Sequence, residues 1–477
     1  ALDLYFERHD GQACTIEDWL RVFEDATGRD LAQFKRWYTQ AGTPRLEVSE
    51  HWQEPAASRP PSRDLHPGEA PDQVRGGTYK LTFRQHTPPT PGQEVKDPRV
   101  IPIAVGLLGP NGDEVRETQL LEMTEAQQSF TFEGLAAKPV PSILRDFSAP
   151  VIVERETTNA ERAFLLAHDT DPFNKWEAGR ALARDGLLAM IRERAAPDAA
   201  YLDAVHTMAR DETLDPAFRA LALGLPSEDD LAQSLHDAGH TPDPQAIWEA
   251  LEALRGARAV TMEDTARSLY DRHQVRAPYR PDPDQTGARA LANAALAILT
   301  RRDGGAQAQV QYDSADNMTQ QLAGLSCLLQ AGKGKAAADA FYQQWQHDRL
   351  VIDKWFSLQI LQAAPQDAAD TAARLTEHPD FTIRNPNRFR ATLGALAMSP
   401  AGFHHASGKG YALLADWLIA LDPLNPQTTA RMSTAFETWR RYDTDRRALI
   451  TAQLDRILAT PNLSCDTTEM VSRIRGV

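Results

Sequence analysis

The spacing of apolar residues changes twice along this chain of 477 residues. Over residues 1–44, and again from residue 157 onward, apolar positions recur every three or four residues, as on one face of an α-helix. Between residues 45 and 156, apolar and polar residues alternate, as they do along a β-strand. The pattern predicts a multidomain, mostly α-helical α+β protein: a short helical segment over 1–44, an antiparallel β-sandwich over 45–156, and a large helical superhelix over 157–477.

Capping residues mark the predicted helices of the first segment. Thr15 and Asp18 have the spacing of a capping box, and Gly28 is placed to end the helix that they start. Asp30 is placed to cap a third helix, with Trp37 on its apolar face. Three short helices cannot enclose a core of their own, so this segment is expected to belong to a larger helical lobe.

Short apolar runs separated by turn residues predict the strands of the sandwich. The clearest alternation covers residues 79–84, and a second apolar run covers 101–108. Further short runs cover 130–132, 143–147 and 151–153. The stretch from Gln53 to Gly77 contains five prolines, which cannot donate to a β-ladder, and it is predicted to be a mobile loop.

In the helical region, an Asp or Asn followed by proline repeatedly marks a helix start. The side chain of the first residue caps the helix, and proline at the first helical position loses no needed donor. Asp215, Asn385 and Asn425 have this arrangement. No sequence period repeats strictly, so the pattern favours an irregular, solenoid-like array over a named repeat family.

Charge and composition exclude several classes of protein. Lys plus Arg number 51 against 66 for Asp plus Glu, a formal charge of −15, so no general attraction to a nucleic-acid backbone is expected. No apolar stretch approaches the length of a membrane span, and residues 1–10 do not have the pattern of a signal peptide. The three cysteines are far apart and favour a reducing compartment. A soluble, cytoplasmic protein without a nucleic-acid or membrane partner is therefore predicted.

The histidines offer one weak imitation of a metal site. His236 and His240 have the spacing of two zinc ligands on a helix face, but Gly239 lies between them and Pro242 follows, so His240 is expected in a loop. The chain contains no H-E-x-x-H motif and no G-x-S-x-G nucleophile motif. The residues alone therefore indicate neither a catalytic nor a metal site in this chain.

Several strings resemble one family, the aminopeptidase N family of zinc metallopeptidases, in its bacterial four-domain form. They occur along nearly the whole chain: LYFERHDGQA at 4–13, WYTQAGTP at 37–44, RQHTPPTP at 84–91, FSAP at 147–150, DNMT at 316–319, DKWF at 353–356, FTIRNPNR at 381–388, NPQ at 425–427 and RRYD at 440–443. The proline-rich loop is longer than expected for the family, which leaves the start of the sandwich open.

The resemblance implies a function for the full-length protein and an incomplete site in this chain. The family removes N-terminal residues from peptides, binds zinc through H-E-x-x-H and a further Glu, and holds the substrate amine with G-x-M-E-N. None of these motifs occurs here, so the chain resembles the C-terminal half, with residues 1–44 as the last helices of a thermolysin-like catalytic domain. Zinc is expected in the full-length enzyme and not in this chain, which alone is expected to be inactive.

The resemblance also implies partners and substrate-binding residues. The expected partners are the N-terminal half with the zinc site and peptide substrates, and the apolar residues of 1–44 favour self-association of the isolated chain. The family's helical domain closes over the active site. Arg390 and Arg431 lie one position from predicted core residues, and Gln427 lies one turn before Arg431. The resemblance implies that these three side chains bind the peptide; the alternative is that the arginines pair with acidic residues of neighbouring helices.

Two other functions remain open at this point. A standalone helical solenoid could bind a peptide or a protein on its concave face without catalysing a reaction. An independent zinc enzyme that uses His236 and His240 is the weakest of the three hypotheses. The coding sequence upstream of Ala1 discriminates among them.

Overall fold

The computed structural model describes residues 1–55 and 76–477, and the described chain divides into two compact units, Ala1–Gly179 and Arg180–Val477. Each unit is considered by itself. The prediction of a mobile loop between Gln53 and Gly77 falls mostly on residues 56–75, which lie outside the described residues. The predicted order of helices, sandwich and helical array is confirmed.

The first unit opens with three helices, α1 (Leu2–His9), α2 (Ile16–Thr27) and α3 (Arg36–Thr39). The capping box of α2 is confirmed, since Thr15 and Asp18 exchange side-chain and backbone hydrogen bonds. The predicted third helix is wrong in extent, because α3 covers a single turn.

Contacts with the sandwich explain why α3 is short. The Trp37 indole N–H donates to the carbonyl of Val100 at 2.8 Å, and the Gln33 amide donates to the carbonyl of Thr124 at 2.6 Å. These bonds hold Gln33 and Trp37 against the sandwich. Trp37 also packs against the sandwich core, so it is not part of the apolar surface that the sequence led us to expect over 1–44.

Within residues 1–55 and 76–477, seven strands form two sheets of four and three strands, in the orders β5-β2-β1-β7 and β4-β3-β6. Their bounds are β1 Arg45–Gln53, β2 Gly77–His86, β3 Ile101–Leu108, β4 Glu114–Met123, β5 Gln127–Leu135, β6 Val140–Ile143 and β7 Ile152–Glu154. The antiparallel prediction holds for every described strand pair except β1 and β7, which run parallel. The alternation over β2 places Tyr79, Leu81 and Phe83 in the core at 0% exposure.

Two details of the sandwich differ from the sequence pattern. Strand β4 was not predicted, because most of its residues are exposed and it has no apolar run. The predicted strand run over 143–147 ends at Ile143, and Leu144, Asp146 and Phe147 adopt positive φ values of 60°, 54° and 52°. Residues in that region cannot continue an extended strand.

From residue 159 onward the chain is helical. The helices are α4 Asn159–His168, α5 Pro172–Glu193, α6 Ala199–Arg210, α7 Pro216–Ala222, α8 Glu228–Asp237, α9 Pro244–Thr261, α10 Glu263–Arg272, α11 Pro283–Asp303, α12 Ala306–Ser314, α13 Met318–Gln330, α14 Lys335–Trp345, α15 Arg349–Leu361, α16 Pro365–Thr376, α17 Pro386–Phe389, α18 Ala395–Ala397, α19 Pro400–Phe403, α20 Lys409–Leu421, α21 Pro426–Ser433, α22 Thr444–Leu458 and α23 Cys465–Arg475. The predicted caps at Asp215, Asn385 and Asn425 are confirmed.

The second unit also contains contacts between distant parts of its sequence. Arg441 donates to a carboxylate oxygen of Asp229, 212 positions earlier in the chain. Arg446 lies 3.5 Å from a carboxylate oxygen of Asp243. These pairs connect helices near the start of the unit with helices near its end. No helix of the described residues combines the length and the apolar composition that a membrane crossing needs.

Candidate functional site

The predicted site lies in the second unit, where two capped helix starts position its side chains. The side-chain oxygen of Asn385 accepts the backbone N–H of Asn387 at 3.0 Å, and that of Asn425 accepts the N–H of Thr428 at 3.0 Å. Proline follows each cap, so both helices start at a defined residue.

Arg390 lies where the helix changes its hydrogen-bonding pattern. After α17 the backbone forms a π-helical segment, Arg390–Gly394, before α18 begins. Phe389 and Leu393 are both 0% exposed and lie in the core. Ser357 of α15 donates to the carbonyl of Ala391 at 2.9 Å and holds this segment in place. Short π-helical segments occur frequently at functional sites.

Two arginines of this segment have opposite environments. Arg388 is buried, its Nε donates to Asp353 Oδ1 at 2.6 Å, and its guanidinium lies 4.6 Å from the Phe356 ring centroid. Arg390 is exposed, and its Nη2 donates to the amide oxygen of Asn387 at 2.6 Å. Arg388 therefore holds the helices together, whereas Arg390 directs its charge to the solvent side.

Helix α21 presents the other two predicted residues. Thr429 and Ser433 are 0% exposed and face the interior, while Gln427 and Arg431 are exposed. Residues four positions apart lie on one side of a helix, so Gln427 and Arg431 share a face. Phe436, five positions beyond Arg431, is 0% exposed, although the α-helix ends at Ser433 and a 3₁₀ turn follows.

The two segments approach each other at Gly394. A Cβ at Gly394 would lie 3.6 Å from Arg390 Cβ and 3.6 Å from Met432 Cε. The side chain next to Arg431 therefore reaches the segment that carries Arg390. The structure brings these two parts of the candidate site together, although 41 positions, 431 − 390, separate the arginines in the sequence.

The alternative for Arg390 and Arg431 was that they pair with acidic residues of neighbouring helices. Among the described residues, neither Arg390 nor Arg431 forms a salt bridge with an Asp or a Glu. Arg388 and Arg441 do form such pairs, with Asp353 and Asp229. The charges of the two candidate arginines are therefore available to a ligand.

A cavity of about 540 Å³ lies just beyond the candidate residues along the chain. The turn after α21 contributes Thr434, and the end of α18 contributes Met398, which is 74% exposed. The start of α8 contributes Glu228. Sequence reasoning missed this cavity, because no local pattern links the start of α8 with residues that follow it by more than 150 positions.

Burial shifts the pKa of two groups that line this cavity. Burial of the Glu228 carboxyl raises its pKa, and the backbone N–H of Ala401, which it accepts, opposes this effect. Burial lowers the pKa of His404 to about 3, with Arg441 and Arg446 adding to the effect, and its Nδ1 lies 3.0 Å from the Tyr411 hydroxyl oxygen. His404 is therefore neutral at physiological pH.

The candidate metal ligands of the sequence are not brought together on one helix. His236 lies in the last turn of α8, and His240 lies beyond its end. Within the described residues, the ligand atoms of Glu47, His86 and Glu154 lie within 4.8 Å of one another on the sandwich. Arg45 donates to Glu154 at 2.5 Å, so the positive charge of this guanidinium already pairs with one carboxylate of the group.

Comparisons with known proteins extend this description. A family model described as a domain of unknown function with ARM repeats matches residues 159–476. A second model, described as a domain of unknown function with an Ig-like fold, matches residues 72–156. The two matches cover the helical region and most of the sandwich.

Two curated relatives and one solved structure are similar to this chain over nearly its whole length. Aminopeptidase N of Caulobacter vibrioides is 39% identical over 99% of the chain, and aminopeptidase N of Escherichia coli is 33% identical over 99%. A crystal structure of Legionella pneumophila aminopeptidase A in complex with aspartic acid matches 98% of the chain with a TM-score of 0.77 and 27% identity. The chain spans about half, 53%, of the length of each of these proteins.

Proposed function

Because the chain belongs to the aminopeptidase N family, we propose that it is the C-terminal portion of a zinc-dependent aminopeptidase that removes N-terminal residues from peptides. The observation that carries this proposal is the match of nearly the whole chain, at 39% identity, to about half of a curated aminopeptidase N. The proposed boundaries are 1–44 for the end of the catalytic domain, 45–156 for the sandwich and 157–477 for the superhelical domain.

In this proposal, zinc and the catalytic groups belong to the part of the protein upstream of Ala1. The motifs H-E-x-x-H and G-x-M-E-N are absent from these 477 residues. The sandwich group Glu47, His86 and Glu154 is an unsuitable replacement, because Arg45 and Arg84 lie against its carboxylates. Zinc, when bound upstream, would activate the water that hydrolyses the peptide bond.

The residues of this chain would bind and orient the peptide. A guanidinium group presents a planar set of donors that fits a carboxylate or a peptide carbonyl. Arg390 and Arg431 are exposed and without acidic partners in the described chain, which supports this role. The Gln427 amide can both donate to and accept from a peptide group. We propose that these three side chains line the cavity that the helical domain closes.

The partner of this chain would be the upstream half, with the cytoplasm as the proposed location. The three cysteines Cys14, Cys327 and Cys465 are all unpaired, as expected in a reducing compartment. On residues 1–44, Phe6 is 59% and Tyr38 49% exposed. Such apolar surface would be covered by the upstream half, or by a second copy when the chain is alone.

A non-enzymatic helical scaffold is the second candidate, favoured by the ARM-repeat description of the helical match. Separate production of this chain and the upstream half decides between the two functions. We expect neither part to hydrolyse an aminoacyl substrate alone and the mixed complex to do so, in proportion to bound zinc. An upstream coding sequence without H-E-x-x-H, or an inactive complex with zinc bound, would contradict the enzymatic proposal.

A further inference from the structure

The Arg390 guanidinium has one hydrogen-bond partner among the described residues, the side chain of Asn387. The Nη2 atom of Arg390 donates to Asn387 Oδ1 at 2.6 Å. A guanidinium can only donate, so this bond fixes which end of the Asn387 amide faces it. The bond uses one of the guanidinium N–H groups and leaves the others available to a ligand.

The backbone that carries Asn387 is held in place at the start of α17. The N–H of Asn387 donates to Asn385 Oδ1 at 3.0 Å. The next residue, Arg388, is buried and donates to Asp353 and to the carbonyl of Asp380, each at 2.6 Å. The Asn387 amide therefore extends from a backbone position that contacts on both sides of it hold fixed.

The Arg390 side chain needs an external contact to take one orientation. Its backbone is ordered, because Ser357 donates to the carbonyl of the next residue, Ala391, at 2.9 Å. Beyond the backbone the side chain is exposed, and an exposed arginine has many rotamers open to it. Ordering such a side chain on binding costs free energy, so a bond that orders the guanidinium in advance makes binding tighter.

We propose that Asn387 is a positioning residue of the peptide site, which holds the Arg390 guanidinium in the orientation that binds the peptide. The inference rests on the proposed function, because it concerns how Arg390 meets its substrate. An amide suits this task, since it has no charge and leaves the positive charge of Arg390 for a peptide carboxylate. An acidic residue at position 387 would neutralise that charge.

A double-mutant cycle in the complete enzyme tests the inference. Asn387→Ala should raise KM for a tetrapeptide about threefold and leave kcat within about twofold, because Arg390 must then be ordered during binding. In the Arg390→Ala enzyme the same substitution should change KM by less than about 1.5-fold, since the side chain that it positions is gone. The control is Gln366→Ala, exposed at the second position of α16 directly after a proline, as Asn387 is in α17.

Asn387→Asp separates positioning from a role in helix stability. Aspartate interacts favourably with the N-terminus of a helix, so the thermal stability of this variant should be equal to that of the unchanged enzyme or higher. Its charge would pair with Arg390 and compete with a peptide carboxylate, so KM for the tetrapeptide should rise by about threefold or more. If Asn387 only stabilised the helix, the aspartate variant would bind the peptide normally.

The outcomes distinguish this inference from the proposed function. An unchanged KM in Asn387→Ala, in an enzyme whose tetrapeptide cleavage Arg390→Ala impairs, would overturn the inference alone. Equal effects of Asn387→Ala with and without Arg390 would also overturn it, because Asn387 would then act independently of that residue. Unchanged tetrapeptide cleavage in Arg390→Ala would refute the proposed role of Arg390, and the positioning role of Asn387 with it.

Discussion

The carboxylate of Glu228 accepts the backbone N–H of Ala401 at 2.9 Å, across 173 positions of the chain. Ala401 lies in the first turn of α19, where a backbone N–H has no partner within its own helix. Glu228 supplies that partner from the first turn of α8. The bond ties an early helix of the second unit to a late one, beside the cavity that follows the candidate peptide site.

Glu228 should make stability depend on pH. Burial raises the pKa of Glu228 in the folded state, so between the unfolded and folded pKa values the folded chain binds more protons. The free energy of unfolding should therefore fall as pH rises through that range. Glu228→Gln keeps an acceptor for Ala401 but carries no charge, so it should lack this decrease.

Chemical denaturation from pH 4 to pH 8 measures this effect. Glu228→Ala, which also removes the acceptor, should cost about 1–3 kcal/mol. The exposed Glu249→Gln on α9 is the control and should leave the pH dependence unchanged. An identical pH dependence in Glu228→Gln and the unchanged chain would contradict the account of this contact.

His404 should contribute an opposite pH dependence. Its pKa of about 3 in the folded chain lies below the usual 6.5. The contribution of the neutral imidazole to the free energy of unfolding is therefore complete above pH 6.5 and is lost as pH falls. Between pH 7 and pH 5 this loss is about 2 kcal/mol. Urea unfolding at the two pH values measures this loss. The free energy of unfolding of His404→Gln should fall by about 2 kcal/mol less than that of the unchanged chain. His347→Gln, at an exposed position, should behave as the unchanged chain does; equal losses in all three would refute the assignment.

Arg388 and Arg390 should respond differently to the same substitution. Arg388→Ala leaves Asp353 without its buried partner and should lower the free energy of unfolding by about 3–5 kcal/mol. Arg390→Ala removes an exposed side chain and should change it by less than about 0.5 kcal/mol. Thermal unfolding of the two variants compares them directly. A large loss of stability in Arg390→Ala would give that residue a structural role.

The chain alone should not hold one zinc ion per molecule. Arg45 and Arg84 compete with a metal ion for the carboxylates of Glu154 and Glu47, and His236 and His240 do not share a helix. Metal analysis after zinc loading and gel filtration checks this expectation. One tightly held zinc that disappears in His86→Ala or in His236→Ala would show that one of these groups is a genuine site.

Helix starts were predictable because capping is a local interaction. The side chains of Thr15, Asn385 and Asn425 bind backbone N–H groups two or three residues away, so their spacing in the sequence contains the needed information. The length of α3 was not predictable, because the bond from Trp37 to the Val100 carbonyl depends on a contact 63 positions away.

The candidate site was predictable only in part, for the same reason. Helical spacing placed Arg390 and Arg431 beside the buried face, and both are exposed in the structure. The approach of Met432, the neighbour of Arg431, to Gly394 depends on the packing of separate helices. The cavity at Glu228 depends on contacts between distant segments, which one sequence does not reveal.

We propose that this chain holds the peptide substrate of an aminopeptidase through Arg390 and Arg431. The most direct test is the specificity constant kcat/KM of the complete enzyme for a tetrapeptide and for a single-residue aminoacyl anilide. The short leaving group of the anilide would end before the helical domain. Arg447→Ala, at an exposed position on α22, is the matched control.

We expect Arg390→Ala and Arg431→Ala each to lower kcat/KM for the tetrapeptide about tenfold, equal to about 1.4 kcal/mol of transition-state stabilisation. For the anilide the same variants should differ less than about twofold from the unchanged enzyme, as Arg447→Ala should on both substrates. Equal losses on the two substrates, or no loss on either, would contradict the claim.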